Sequence, residues 1–195
     1  MSIIIGLTGP TGSGKSTASK VASDLGFKVV DCDKLARKAV EKGTAGLESL
    51  CEVFGEEILD SNGELNRKAL AKIAFSTKEN TELLNKTLLP HIVLLVTEEA
   101  NSDKVLLDAP TLYESGINSM CNSTVAVLAD KKLRLERICK RDGIDEESAM
   151  LRINAGKPDD FYKENAEYIV YNNENAEDFI NDFNKIISEI MGKIS

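Results

Sequence analysis

The sequence predicts a three-layer α/β fold, a five-stranded parallel sheet with helices on both faces. Three observations carry that prediction. Five short apolar runs, several of them rich in β-branched residues, are spread along the chain. Helical patterns fill the stretches between them, and strands alternating with helices imply a parallel sheet covered on both sides. A Gly-rich loop, GPTGSGKST, joins the first apolar run to the first helical pattern.

Taken in order, SIIIGLT (2–8) reads as the first strand, ended by Gly9. SGKSTASKVASDLGF follows as a helix, with Ala18, Val21, Ala22 and Leu25 at helical spacing and Gly26 as terminator. FKVVDCD (27–33) is the second strand. From Asp33 to about Asn101 the pattern is almost wholly helical: KLARKAVEKG, TAGLESLCEVFG, NRKALAKIAF, KENTELLNKTLL and, beyond Pro90, HIVLLVTEEAN. LDSNGEL among them is a turn. KVLLDAP (104–110) and STVAVLA (123–129) are the third and fourth strands. DKKLRLERICKRDG and DEESAMLRINAG are helices, and AEYIVYN (166–172) is the fifth strand. A closing amphipathic helix places Phe179, Phe183, Ile186, Ile187 and Ile190 on one face. The long helical stretch between strands two and three reads as an inserted subdomain on the substrate side.

The chain has 195 residues, 42% hydrophobic, 29% charged and 5% aromatic, which suits one well-packed domain. The net charge is -8 and the pI about 4.9, which argues against duplex nucleic acid as the main partner but leaves room for an anionic ligand at a local basic site. Cys32, Cys51, Cys121 and Cys139 form no C-x-x-C pair, and there is one His, which argues against a zinc site or a disulfide framework. The N-terminal apolar run is short and lacks a basic region, so it reads as a buried strand. No segment reaches transmembrane length. A cytoplasmic setting without membrane attachment is expected, and no obligate protein partner is indicated.

GPTGSGKST holds the pattern G-x-x-x-x-G-K-S from Gly9 to Ser16. The glycines let backbone N–H groups turn toward a polyphosphate. Lys15 reaches the β- and γ-phosphates, Ser16 offers its hydroxyl to Mg²⁺, and the following helix aims its positive end at the same anions. The loop leaves a β-branched strand and opens an amphipathic helix, the context that separates this motif from a chance Gly-rich turn. The guanine-reading N-K-x-D is absent, because NKTL at Asn85 puts Leu88 in place of the acid. A small kinase therefore leads over GTPases, transport ATPases and motors.

Ligands of open α/β sheets sit beyond the carboxyl ends of the strands. Asp31 and Asp33 fall at that end of strand two. If strands one and two share an edge of the site, Asp33 faces the γ-phosphate region. A phosphate acceptor would want cations there, whereas a hydroxyl acceptor gains from a carboxylate that orients it and takes its proton. Asp31 would orient Mg²⁺ through water. Equally, Asp33 is a candidate N-cap for the next helix. Arg37, one turn beyond, and Arg67 are candidates for gripping an anionic part of the acceptor, or else solvated surface charges.

Arg134, Arg137 and Arg141 stand at i, i+3 and i+7 on one helix face. That face is either a lid that neutralises phosphoryl charge or a solvated surface, and a phosphate loop in the same chain favours the lid. Asp108 ends strand three where an acid would hold Mg²⁺ or its water; a strand-end turn is the other reading. His91 has no evident catalytic partner and reads as structural. The cysteines read as buried or incidental.

Together these segments resemble the dephospho-CoA kinase family over most of the chain. IGLTGPTGSGKSTAS is similar to its phosphate loop, LGFKVVDCDKLARKAV to its D-x-D-x-x-A-R segment, and FGEEILDSNGELNRKAL to its G-x-L-x-R signature. LLNKTLLPHI resembles the next helical junction, LLDAPTLYESG its P-L-L-x-E strand end, LRLERICKRD its paired lid arginines, and AEYIVYNN its final A-D-x-x-I-x-N. The two central segments, in this order, are far more specific than the phosphate loop.

The resemblance implies a nucleoside-monophosphate-kinase-like P-loop fold in one domain (1–195). A nucleotide core would comprise 1–32, 104–130 and 166–195, with a helical CoA-binding part at 33–103 and a lid at 131–165. It implies transfer of the ATP γ-phosphate to the ribose 3′-hydroxyl of dephospho-CoA, with Asp33 as base and Lys15, Arg137 and Arg141 stabilising phosphoryl charge. Gly12, Ser13, Gly14, Lys15, Ser16, Thr17 and Asn172 would hold ATP. Asp33, Arg37, Arg67, Pro110 and Leu112 would meet the acceptor, and Ser16, Asp31 and Asp108 the Mg²⁺. The chain departs from the family pattern at Leu89-Pro90-His91, at Pro110-Thr111-Leu112, at Gly156 and at Ala166-Glu167. None of these removes a proposed chemical group. The competing readings are a kinase of another small alcohol and a nucleotide-binding switch module without transferase chemistry.

Overall fold

The computed structural model describes residues 2–194. Five strands, β1 (Ile3–Thr8), β2 (Lys28–Asp31), β3 (Lys104–Asp108), β4 (Ser123–Leu128) and β5 (Tyr168–Tyr171), form one sheet in the order β2-β3-β1-β4-β5. The pairings of β1 with β3, β1 with β4 and β4 with β5 are parallel. The expected α/β class and five-stranded parallel sheet are therefore observed. β2 is an edge strand, separated from β1 by β3.

Among the described residues the α-helices are α1 (Lys15–Asp24), α2 (Cys32–Lys38), α3 (Ala45–Phe54), α4 (Arg67–Ala74), α5 (Lys78–Glu99), α6 (Lys131–Asp142), α7 (Glu146–Ala155), α8 (Asp159–Asn165) and α9 (Ala176–Ile194). Short polar side chains start several of them. Thr44, Asn66, Thr77 and Asp145 each accept from a backbone N–H in the first turn of α3, α4, α5 and α7. Two expectations fail. α5 runs unbroken through Pro90 where the sequence suggested two helices. Proline removes one backbone donor there, and the apolar side chains Leu84, Ile92 and Val96, buried on both sides of it, outweigh that loss. α8 was not anticipated, because seven residues offer too little periodicity to register.

The chain divides into two compact units. The first takes in the residues up to Val30, Ser102–Leu112 and Met120 onward, and carries the sheet. Alternation along β4 shows how both sheet faces are covered. Val125 and Val127 join a core with Ala18 and Ala22 of α1 and Phe179, Phe183 and Ile187 of α9. Ala126 and Leu128 point the other way, into a cluster with Tyr162 of α8. The second unit is Asp31–Asn101 with Tyr113–Ser119. Its core is Val40, Leu50, Phe54, Ile58, Leu70, Ala74 and Leu84, with α2, α3 and α4 packed on α5. His91 lies 3.1 Å (Nε2) from Ser49 Oγ, a contact that suits the structural reading of this residue. Among the described residues no helix is long and apolar enough to cross a membrane.

Register decides what meets at the carboxyl edge of the sheet. Leu7 is level with Asp108 and with Val125, and Leu128 with Tyr171. The loop after β1, the acid ending β3, the start of α6 and the residue after β5 are thereby brought to one edge.

Candidate active site

A cavity of about 670 Å³ lies at this edge, lined by loop residues 9–17, by Pro110, Arg137, Arg141, Asn172 and Glu174, and by the start of α9. The loop's shape requires glycine at two points. Gly14 has φ 102°, and a Cβ there would lie 2.0 Å from Asn172 Nδ2. Gly12 has φ 79°, and a Cβ would lie 2.9 Å from the Arg134 carbonyl oxygen. Left-handed backbone and close neighbours thus exclude a side chain at both positions.

Side chains from α6 and the β5 end hold the loop carbonyls. Arg134 Nε donates to Thr11 O at 3.0 Å. Asn172 Nδ2 donates to Ser13 O at 2.9 Å, and Arg137 reaches the same carbonyl at 3.5 Å. Arg137 also donates to the Asn172 carbonyl at 2.9 Å. In a trans peptide the C=O of one residue and the N–H of the next point oppositely. Carbonyls held this way aim N–H groups away from their anchors, which is how a loop presents donors to an anion.

Lys15 Nζ pairs with Asp108 Oδ1, and the two side chains are 18% and 19% exposed. Ser19 Oγ donates to Asp108 Oδ2 at 2.7 Å. Both oxygens of the expected metal acid therefore have partners. Arg141 lies bidentate on Asp142, with Nε and Nη2 at 2.7 and 2.9 Å, and Arg152 pairs with the same carboxylate. The Arg141 hydrogen bond holds the Asp142 carboxyl below its ordinary value, and the carboxylate raises the Arg141 guanidinium in turn. Ser16 and Thr17 open α1 with exposed side chains.

The single basic face read from the sequence is therefore three different things. Arg134 is 3% exposed and braces the loop, Arg137 ties the loop to the β5 end, and Arg141 is exposed at the cavity. Spacing placed them on one face but carried no signal of how far each is buried. Pro110 lines the cavity and accepts from Thr8 Oγ1 at 3.2 Å. Leu112 corrects an expectation: it is fully buried, with both Cδ atoms crowding Gly6, and so fills the core under β1 without presenting a surface to a ligand.

The remaining expected residues belong to the helical unit. Asp31, not Asp33, is the N-cap of α2; its Oδ1 accepts from Lys34 N at 3.0 Å. The capping alternative for Asp33 is removed, because Asp33 already lies within the first turn. It is half-buried, while Asp31, Arg37 and Arg67 are exposed. Ser19, Asp142, Arg152 and Asp159 were missed, because nothing in their local sequence marks them as partners of site residues.

The family model for dephospho-CoA kinase matches residues 3–178. The chain belongs to the dephospho-CoA kinase family. A dephospho-CoA kinase of Fusobacterium nucleatum is 40% identical over 179 residues, covering 90% of this chain and 92% of that protein. A crystal structure of a Thermus thermophilus protein is similar at TM-score 0.75 and 31% identity, over 96% of this chain and 97% of that one. Dephospho-CoA kinase from Campylobacter jejuni matches at TM-score 0.53 and 26% identity over 96% of each chain. As a member of this family the protein is an ATP-dependent kinase of an alcohol group.

Proposed function

We propose that this protein transfers the γ-phosphate of ATP to the ribose 3′-hydroxyl of dephospho-CoA, yielding CoA and ADP. The observation that carries the reading is the family match across residues 3–178, which spans both the phosphate loop and the helical unit. The reaction takes place in the cytoplasm.

The residues at the sheet edge fit Mg²⁺-ATP. The loop has its carbonyls anchored on α6 and Asn172, Ser16 offers an exposed hydroxyl at its end, and Asp108 supplies a carboxylate. Mg²⁺, when bound, neutralises charge on the β- and γ-phosphates. Ser16 and Asp108 would hold it, with Asp31 as a further carboxylate. N–H groups from Gly12 to Thr17 bind phosphate oxygens, and Asn172 keeps that loop in shape. Lys15 exchanges Asp108 for the β- and γ-phosphates, and Arg141 exchanges Asp142 for the transferring group. Arg137 contributes positive charge from the cavity wall.

Asp33 orients the 3′-hydroxyl and accepts its proton as O3′ bonds to Pγ and the bridging bond to ADP breaks. Two features support that role. Asp31 has taken over the capping of α2, and Asp33 is half-buried in the first turn. Arg37, Arg67 and Pro110 bind the acceptor.

The test measures ADP release from Mg²⁺-ATP with and without dephospho-CoA, with mass detection of CoA. Acceptor-dependent turnover that forms CoA is expected. Slow hydrolysis indifferent to the acceptor would overturn the proposal in favour of a switch module. Turnover stimulated only by another alcohol would replace the substrate.

A further inference from the structure

Arg134 is a cation with 3% exposure, inside a unit whose other buried polar groups, among the described residues, are short uncharged side chains. Burying a guanidinium is costly, and apolar residues of similar volume usually serve stability as well or better. Its position shows what it does. Nε donates to Thr11 O at 3.0 Å, inside the phosphate loop. Nη1 donates to Asp159 Oδ1 at 2.9 Å, in the first turn of α8. The backbone of Arg134 is also pressed against the loop, since a Cβ on Gly12 would meet its carbonyl oxygen at 2.9 Å and its Cα at 3.2 Å. One residue therefore seals Gly12 from behind and pins the carbonyl that precedes it. By peptide planarity, fixing the Thr11 C=O against α6 turns the Gly12 N–H away from α6. Gly12 lines the cavity, so that N–H is a donor for phosphate.

We propose that Arg134 is a positioning residue for the nucleotide phosphates. It sets the Thr11–Gly12 peptide, and Asp159 fixes the guanidinium that does so. The loop is thereby mechanically tied to α8, a helix outside the motif. Arg134 acts through the backbone and does not touch the nucleotide. This rests on the cavity being the ATP phosphate site.

The test compares wild type with Arg134→Met/Asp159→Asn, which removes the ion pair without leaving an unpaired buried charge, and with Arg134→Lys, which keeps the charge but not the planar fork. Calorimetry reads Kd for Mg²⁺-ATP, steady-state kinetics read KM for each substrate, and thermal unfolding reads Tm. Wild type that fails to bind Mg²⁺-ATP overturns the phosphate-site reading itself. Given wild-type binding, the double variant should raise Kd and KM for ATP ~10-fold, the scale of one lost charge-assisted hydrogen bond. KM for dephospho-CoA and Tm should stay near wild type, and Arg134→Lys should recover part of the affinity. ATP affinity within twofold of wild type overturns the proposal, and so does equal loss for both substrates alongside a fallen Tm. If the double variant does not fold, Arg134→Lys decides alone: a raised Kd for ATP at wild-type Tm supports the positioning role, and an unchanged Kd refutes it.

Discussion

Gly14→Ala, alone and combined with Asn172→Ala, tests how the phosphate loop is held. Gly14 has φ 102°, where an L-residue is strained at a cost of ~1–3 kcal/mol. The new Cβ would also lie 2.0 Å from Asn172 Nδ2, so the amide must leave. Its departure breaks the 2.9 Å bond to Ser13 O and leaves that carbonyl with Arg137 at 3.5 Å. An under-satisfied buried acceptor costs ~1–3 kcal/mol. Gly14→Ala should therefore cost ~2–6 kcal/mol, combining both effects, and Asn172→Ala alone ~1–3 kcal/mol. In the double variant the clash is gone and the lost hydrogen bond counts once. Its cost should match that of Gly14→Ala, falling short of additivity by ~1–3 kcal/mol. Equilibrium urea unfolding of the four proteins gives the cycle, and Mg²⁺-ATP affinity measured in parallel should weaken in every variant. Additivity within ~0.5 kcal/mol would refute the claim that Asn172 and Gly14 compete for one space.

Further outcomes are expected elsewhere. Asp33→Asn should lower kcat by ~10²-fold or more while leaving ATP affinity nearly intact, and near-wild-type turnover would remove its assignment as base. Lys15→Ala should cripple phosphoryl transfer, and it should also destabilise the fold by ~1–3 kcal/mol in urea, because Asp108 loses the partner of a largely buried pair. The Asp145 carboxyl is held below 3.8 by the backbone N–H and then the side chain of Ser148. With the folded value depressed, its contribution is fully present above the unfolded pKa and lost as pH falls through the folded one. NMR titration should show Asp145 ionising below 3.8, with α7 loosening over the same interval; an unshifted titration would contradict the cap. Burial pushes the Cys121 thiol up to about 12, so it should alkylate at pH 8 far more slowly in the folded protein than in urea. Equal rates would show it accessible.

The strands and the phosphate loop were legible because their signals are local. A β-branched run next to G-x-x-x-x-G-K-S states both the element and its chemistry within a few residues. Asp31 and Asp33 were harder. Both acids suit the start of a helix, and the choice of cap depends on whether the strand stops at residue 31 or 33. β2 ends at Asp31, so the cap fell there. Pro90 misled for a related reason: a proline signals a break locally, whereas apolar burial along α5 carried the helix through.

The arginines of α6 mark the boundary between chain and fold. Composition and spacing established an acidic protein with a concentrated basic face, a polyphosphate loop and segments in the order of one kinase family. They could not rank Arg134, Arg137 and Arg141, because three residues on one face look alike until something packs against it. Packing of the loop on α6 buried the first, tied the second to the β5 end and left the third exposed at the cavity. Motif chemistry is a property of neighbouring residues. Burial and hydrogen-bond partners belong to contacts more than a hundred positions apart in sequence, as Arg134 with Thr11 and Asn172 with Ser13 show.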